Sequence, residues 1–154
     1  RKIAPIRTIA AASPDYLKRF APVKTPQDLK AMKELRYSGR PLKVWRYKSP
    51  SGQAGEIELS EGLAASNGDF LRDAAIAGLG IVIEPVFILC DALRDGDLIQ
   101  LLPEYQWPEI NAYAVYPPTR HLSVRVRAFV DFLAARYSGI PPWEVSEGNN
   151  GVFL

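Results

Sequence analysis

Apolar and polar positions alternate in two neighbouring stretches, at residues 42–47 and 56–60. A period of two is typical of half-buried strands, and the turn residues between the stretches predict a hairpin. We expect Leu42, Val44 and a tilted Trp45 to face inward. Further strands are predicted at residues 7–12, 35–38, 81–83, 98–102 and 112–116.

Other stretches carry apolar residues at helical spacing. A polar cap followed by a proline and an acid begins two short helices, at Ser13 and at Thr25. Further helices are predicted at residues 86–93 and 121–137. The apolar stripe of the last one comprises Leu122, Val126, Phe129, Val130, Leu133 and Tyr137. The resulting order, β-α-α-β-β-β-α-β-α-β-β-α, favours an α/β domain with a mixed sheet.

The stretch from residue 64 to residue 85 predicts a polar turn, a helix, a glycine stop and a buried strand. Ser66 or Asn67 is suited to cap the helix, and Asp69 adds negative charge to its first turn. Gly78 and Gly80 are suited to the left-handed conformation that ends a helix. The helix N-terminus presents free N–H groups to an anion or a polar ligand, although the same residues also serve as ordinary caps.

Composition indicates one soluble globular domain. The chain has 154 residues, of which 47% are hydrophobic and 23% charged, and its formal charge is +2. That charge is too balanced to imply nucleic-acid binding, and no apolar run is long enough to span a membrane. The N-terminus lacks an initiator Met and the apolar core of a signal peptide, so a fragment or a processed chain is expected. The single cysteine, Cys90, fits a reducing compartment.

Candidate chemistry is sparse. The only histidine, His121, precedes a helix and is interpreted as a solvated or capping residue. Cys90 lies on an apolar helix face and is interpreted as a structural thiol. One histidine and one cysteine cannot make the usual zinc site, and no nucleophile–base motif or phosphate-binding loop is present. The sequence therefore predicts no catalytic residue, no metal and no cofactor, and it favours binding over catalysis.

Six stretches in a fixed order resemble the C-terminal effector-binding domain of LysR-type transcriptional regulators. They are residues 11–17 (AASPDYL), 25–29 (TPQDL), 45–47 (WRY), 66–81 (SNGDFLRDAAIAGLGI) with Pro85, 93–103 (LRDGDLIQLLP) and 114–133 (AVYPPTRHLSVRVRAFVDFL). The resemblance covers residues 1–137, and residues 138–154 are expected to form a flexible C-terminal tail.

The resemblance implies a fold like that of type 2 periplasmic binding proteins, with two α/β subdomains joined by two crossing strands. It places the crossings near residues 7–12 and 112–116 and assigns most of the chain to the second subdomain, with the last helix belonging to the first. The winged helix-turn-helix, the linker helix and half of the first subdomain are expected to be absent. The last helix should therefore pack differently on its own domain or on a second chain.

The same resemblance implies the function. A small-molecule effector, a carboxylate or an aromatic metabolite, is expected in a cleft lined by Ser13, Ser66, Asn67, Gly68 and Asp69. The regulator is expected to be a cytoplasmic homo-oligomer that binds DNA only through its missing N-terminal domain and does not bind a membrane. Two alternatives are a fragment of a periplasmic solute-binding protein and, ranked last, an enzyme of the same fold.

Overall fold

A computed structural model describes residues 1–40, 44–116, 123–139 and 141–144. The strands are β1 (Lys2–Ile6), β2 (Thr8–Ala12), β3 (Lys33–Tyr37), β4 (Val44–Lys48), β5 (Ala54–Glu58), β6 (Ser60–Ala65), β7 (Val82–Pro85), β8 (Ile99–Leu101) and β9 (Ile110–Tyr113). The α-helices are α1 (Pro14–Leu17), α2 (Gly68–Ile76), α3 (Val86–Arg94) and α4 (Val124–Arg136), with short 3-10 helices at Pro26–Ala31 and Pro142–Glu144.

A mixed sheet forms the centre of the fold. Strand β2 pairs antiparallel with β7 on one side and with β8 on the other. Strands β3 and β6 are parallel. Strand β3 joins the sheet next to β7, because the Leu35 amide donates to the Ile81 carbonyl at 2.8 Å and the Ile81 amide donates to the Lys33 carbonyl at 2.8 Å. The sheet order is therefore β6-β3-β7-β2-β8, which confirms the α/β class and the mixed sheet predicted from the sequence.

Both faces of the sheet are covered, as the apolar run before Pro85 predicts. Helices α2 and α3 pack on one face, where Val82 of β7 lies among Leu71, Val86 and Leu89. The long 3-10 helix and the β4–β5 hairpin cover the other face. Because successive side chains of a strand point to opposite faces, Val82 and Glu84 both point towards the helices.

Two glycines next to α2 have different roles. Gly78 adopts a φ of 75° directly after the helix, so it supplies the left-handed residue that the sequence predicts. Gly80 does not adopt a positive φ, which corrects the prediction for that residue. A Cβ at Gly80 would lie 2.4 Å from the carbonyl oxygen of Lys33, so this glycine permits the close approach of β3.

A separate two-stranded antiparallel ribbon is formed by β1 and β9, with Ile6 opposite Ile110. Strand β1 is not predicted by the sequence pattern. Strand β9 pairs with β1, and β2 lies inside the mixed sheet. The placement of crossing strands near residues 7–12 and 112–116 stays a prediction. The terminal ammonium of Arg1 donates to the Ala114 carbonyl at 2.9 Å, and its guanidinium pairs with Asp131 of α4.

The β4–β5 hairpin and the inward position of Trp45 are confirmed, but the inward position predicted for Val44 is wrong. Trp45 lies opposite Ile57, and both side chains are buried, whereas Val44 is 36% exposed. Leu42 lies outside the described residues. Trp107 is buried edge-on against Trp45 with 6.3 Å between ring centroids. The aromatic cluster on this face of the sheet therefore fixes the orientation of the hairpin.

Helix α4 leaves most of its apolar residues exposed. Of the predicted stripe, Val130 is buried, while Phe129 is 61% exposed. His121 and Leu122 lie outside the described residues. No helix in the described part of the chain is long and apolar enough to cross a membrane.

The first part of the segment expected to be a tail packs on the domain. The ring of Trp143 lies edge-on to Phe87 of α3, with 6.1 Å between centroids. Glu144 is buried and its carboxylate lies 2.8 Å from the guanidinium of Arg7. Residues 145–154 lie outside the described residues, so their flexibility stays a prediction.

Candidate functional site

A cavity of about 790 Å³ opens at the N-terminus of α2. Its volume lies within the range of small-molecule sites, roughly 300–1,000 Å³. The walls come from the end of β7, the start of α3, the β4 strand and the segment before β9. The lining residues are Thr8, Tyr37, Gly39, Arg40, Val44, Trp45, Arg46, Ser66, Asn67, Gly68, Asp69, Ile83, Glu84, Pro85, Phe87, Ile88, Pro108 and Ile110.

The N-terminus of α2 faces this cavity through all four residues predicted there, Ser66, Asn67, Gly68 and Asp69. Asn67 is the cap: its Oδ1 accepts a hydrogen bond of 3.0 Å from the Phe70 amide. The Gly68 and Asp69 amides have no partner within the helix, because the first-turn N–H groups precede the helical hydrogen-bond ladder. The helix end is therefore both ordinarily capped and able to donate to a ligand.

The negative charge of Asp69 is balanced within the helix. The Arg72 guanidinium lies 2.8 Å from Asp69 and 2.9 Å from Asp73. Arg72 is thus held against the helix surface and does not line the cavity. Because Asp69 has this counter-charge, it reduces the positive potential at the N-terminus of α2 less than an unpaired carboxylate would.

Ser13 is the predicted site residue that the structure does not bring to this cavity. It caps α1, where its Oγ accepts a hydrogen bond of 3.3 Å from the Tyr16 amide. The side chain is buried and is absent from the cavity lining.

Gly68 brings the N-terminus of α2 close to two side chains of the neighbouring elements. A Cβ on Gly68 would lie 2.6 Å from Cδ1 of Ile88 and 3.8 Å from Oε2 of Glu84. The absence of a side chain therefore lets the first turn of α2 lie beside the carboxyl group of Glu84.

Arg40, which the sequence analysis did not identify, is part of a buried network next to the cavity. Its Nη2 donates to Oε1 of Glu34 at 2.6 Å, and the Trp45 indole N–H donates to the same oxygen at 2.7 Å. The guanidinium also stacks 3.6 Å from the centre of the Trp45 ring. Burial raises the pKa of Glu34 although Trp45 and Arg40 act to lower it, and burial lowers the pKa of Arg40.

Glu84, also missed by the sequence analysis, is a buried carboxyl group in the cavity wall. The residue is 5% exposed and belongs to β7. Burial raises its pKa to about 7, while the positive charge of Arg40 acts to lower that pKa and the negative charge of Glu34 to raise it. One signal could have found it, namely a single acid directly after the buried run Ile81-Val82-Ile83.

The chemistry of the described side chains does not extend to metal binding. No three of the described His, Cys, Asp and Glu residues form a group that could hold a metal ion. The Cys90 thiol donates to the Phe87 carbonyl at 3.5 Å, and burial raises its pKa, which makes it a poor nucleophile. The cavity offers hydrogen-bond donors, the guanidinium groups of Arg40 and Arg46, of which Arg46 is paired with Glu56, and one buried carboxyl group, that of Glu84.

A family model described as the LysR substrate binding domain matches residues 1–138 of the chain. The chain belongs to this family. Its members form the effector-binding domain of LysR-type transcriptional regulators, so the resemblance noted in the sequence is confirmed, and with it the fold and this functional class.

Curated relatives carry the same description. An uncharacterised HTH-type transcriptional regulator of Haemophilus influenzae is 36% identical over 126 residues, which cover 82% of this chain and 44% of that protein. An HTH-type transcriptional repressor of Pseudomonas aeruginosa is 30% identical, with coverages of 92% and 45%. The chain thus spans about half the length of the curated relatives it matches. They are transcriptional regulators and not enzymes, as the sequence predicts.

Solved structures of this family superpose on the chain. The full-length virulence activator AphB of Vibrio cholerae, an LTTR family member, matches with a TM-score of 0.76 and 28% identity, over 89% of this chain and 47% of that one. The regulatory domain of CrgA from Neisseria meningitidis matches with a TM-score of 0.67 and 25% identity, over 90% and 68%.

Proposed function

We propose that the cavity at the N-terminus of α2 is the effector site of this LysR-type domain. The observation that carries the proposal is that the four consecutive predicted residues, 66–69, all line one cavity of suitable size. Arg40 joins them in the proposed site. Ser13 is not included because it lies outside the lining.

The proposed ligand is a small carboxylate with an apolar body. The Gly68 and Asp69 amides and the Arg40 guanidinium supply donors and positive charge for an anionic group. Much of the remaining wall is apolar or aromatic, and an aromatic or branched aliphatic body would bury its surface there. These apolar lining residues are Val44, Trp45, Ile83, Pro85, Phe87, Ile88, Pro108 and Ile110.

In the whole regulator, effector binding at this cavity would act on DNA binding through another part of the protein. The proposed protein is a cytoplasmic homo-oligomer, in which the effector shifts the population between two arrangements of subdomains. Its DNA contacts would come from a helix-turn-helix domain outside this chain. The names of the relatives, all HTH-type regulators, support this part of the proposal.

The first experiment fills the cavity and measures ligand binding by calorimetry. The probes are benzoate, 3-hydroxybenzoate, 4-hydroxybenzoate, butanoate, 4-hydroxybutanoate and hexanoate. Val44→Trp places an indole in the cavity, while Val126→Trp in α4 is the matched control, because Val126 is 40% exposed and is not part of the lining. We expect Val44→Trp to weaken binding at least about tenfold and the control to leave it within about twofold.

Two results would overturn this proposal. One is that no probe binds the unsubstituted chain at millimolar concentration. The other is that Val44→Trp and Val126→Trp bind every probe equally well.

A second pair of variants separates ligand binding from helix capping. Asn67→Ala and Ser13→Ala each remove one capping hydrogen bond, and each should lower the free energy of unfolding by about 1 kcal/mol. Only Asn67 lines the cavity, so only Asn67→Ala should change the dissociation constant of the probes. If both variants changed probe affinity by the same factor, the effect would reflect stability and not the site.

A further inference from the structure

Glu84 carries the one buried carboxyl group that lines the cavity in the described part of the chain and has no protein partner there. None of the described side chains forms an ion pair or hydrogen bond with it. It is more than nine-tenths buried, and its Oε2 lies against the first turn of α2. The carboxylate oxygens of Glu84 are not among the fully buried unpaired atoms of the described residues, so the little surface that they keep is open to the cavity. The burial of the residue still carries a desolvation cost that no hydrogen bond from a described side chain offsets.

The charged groups that face Glu84 do not provide such a bond. The positive charge of Arg40 acts to lower the pKa of Glu84, but the Nη2 of Arg40 donates to Glu34 at 2.6 Å. Glu34 has the same sign of charge as Glu84 and raises its pKa. On the helix side, Asp69 is paired with Arg72. The opening that remains beside the carboxyl group is the cavity itself.

Nor does the packing of β7 require a carboxyl group at this position. Val82, on the same face of the strand, is fully buried among apolar residues. An apolar side chain of similar volume at position 84 would avoid the desolvation cost, since replacing buried unpaired polar groups by apolar ones is generally neutral or stabilising. The structure therefore assigns the Glu84 carboxyl to contact with something that enters the cavity.

We propose that Glu84 is a specificity-determining residue of this cavity and accepts a hydrogen bond from a hydroxyl or ammonium group of the effector. The inference rests on the proposed effector site and adds a second polar contact to it. The anionic end of the effector lies at Arg40 and the first turn of α2, and a donor group lies at Glu84. The effector class is then a hydroxy- or amino-carboxylate, and a carboxylate without a donor group is a poorer ligand.

A buried acceptor distinguishes ligands strongly. A site built around a buried polar group rejects an analogue that lacks the matching donor, because the protein group is then left unpaired beside the ligand. Above its pKa of about 7 the Glu84 carboxyl group is ionised and only accepts hydrogen bonds, so at pH 8, where binding is measured, an ether or a methyl group cannot replace a hydroxyl or an ammonium against it.

The test uses matched probe pairs on the 154-residue chain. The pairs are 3-hydroxybenzoate with 3-methoxybenzoate, 4-hydroxybenzoate with 4-methoxybenzoate, and 4-hydroxybutanoate with 4-methoxybutanoate. Dissociation constants are measured by calorimetry for the unsubstituted chain, for Glu84→Leu, which removes the acceptor, and for Glu84→Gln, which keeps an acceptor oxygen without charge. Circular dichroism and thermal unfolding check that each variant is folded.

We expect the hydroxyl member of at least one pair to bind the unsubstituted chain about tenfold or more tightly than its methoxy partner. Glu84→Leu should remove that preference while the methoxy compound still binds, and Glu84→Gln should keep part of it. If Glu84→Leu retains the full preference, the proposal is wrong.

The outcomes also separate this inference from the proposed function. Suppose that carboxylates bind, that Val44→Trp weakens this binding, and that the hydroxyl compounds show no preference. This result would contradict the proposed role of Glu84 but would still support the effector site. Absence of binding by every probe would count against both. Should Glu84→Leu fail to fold, the Glu84→Gln variant decides, since a reduced or lost preference supports the proposal and an unchanged preference opposes it.

Discussion

Two buried glutamates lie on neighbouring strands of the same sheet and differ in what surrounds them. Glu34 on β3 is 2% exposed and accepts hydrogen bonds from Arg40 and Trp45. Glu84 on β7 is 5% exposed and has no such bond from any side chain that the structure describes. Burial raises the pKa of both carboxyl groups.

This comparison distinguishes a carboxyl group with a structural role, that of Glu34, from one that is available to a ligand, that of Glu84. Glu34 holds Arg40 and the Trp45 indole in place, and these two groups form part of the cavity wall. Glu84 contributes nothing of this kind to the protein and faces the cavity. Glu34, a buried acid with partners, therefore orients side chains of the site, whereas Glu84, a buried acid without such partners, is the one that we propose to contact the ligand.

The largest expected effect follows from removing the structural member of the pair. Glu34→Leu leaves the Arg40 guanidinium and the Trp45 N–H without an acceptor, and we expect it to lower the free energy of unfolding by about 3–5 kcal/mol. Urea unfolding measures the change. Glu56→Leu is the control, because its ion pair with Arg46 is exposed and should contribute no more than about 1 kcal/mol. Equal losses for the two variants would remove the structural role assigned to Glu34.

A smaller effect, with a distinct pH dependence, is expected at the unpartnered member. The pKa of Glu84 is raised from 4.5 to about 7 in the folded state, by burial and by Glu34 against the opposing charge of Arg40. The neutral carboxyl group of Glu84 therefore makes its full contribution to the free energy of unfolding below pH 4.5. This contribution is lost as the pH rises through about 7, which lowers the free energy of unfolding by up to about 3 kcal/mol.

Glu84→Gln removes this titration. The variant should unfold like the unsubstituted chain at pH 4 and should be more stable at pH 8, with urea midpoints measured across that range. Glu56→Gln, an exposed substitution, serves as the control and should leave the pH profile as it is. An unchanged profile for Glu84→Gln would mean that Glu84 is not a buried, protonated acid near neutral pH.

The smallest of the three effects tests one bond of Glu34. Trp45→Phe removes the indole N–H but leaves Arg40 as a partner, so we expect a loss of about 2 kcal/mol, the size of a hydrogen bond to a charged group. The measurement is again urea unfolding. A loss as large as that of Glu34→Leu would show that ring packing against Trp107, and not the hydrogen bond, dominates at this residue.

The sequence predicted those parts of the fold that depend on local signals. The cap at Asn67, the stop at Gly78 and the buried strand after it follow from residue chemistry and spacing over a few positions. Strand β1 was missed because it is held by pairing with β9, more than a hundred residues away. Val44 was placed inward by the alternating pattern, but the structure buries Trp45 against Trp107 of a distant loop and leaves Val44 36% exposed.

The candidate site divides in the same way. Residues 66–69 were predicted because a helix N-terminus is visible in the local sequence. Arg40 was not, because only the fold brings it to the Trp45 ring and the cavity. Ser13 caps a helix as Asn67 does. The local sequence around Ser13 does not indicate that tertiary packing buries its side chain.

The edge-on contact of Phe87 with Trp143 gives the domain an intrinsic optical reporter. The chain has three tryptophans. Trp45 lines the cavity, and Trp143 touches Phe87, whose own ring is part of the lining. Ligand occupancy that alters the Phe87 rotamer therefore changes the surroundings of an indole outside the cavity. Fluorescence emission of Trp143, isolated by Trp45→Phe and Trp107→Phe substitutions, reports occupancy without a label.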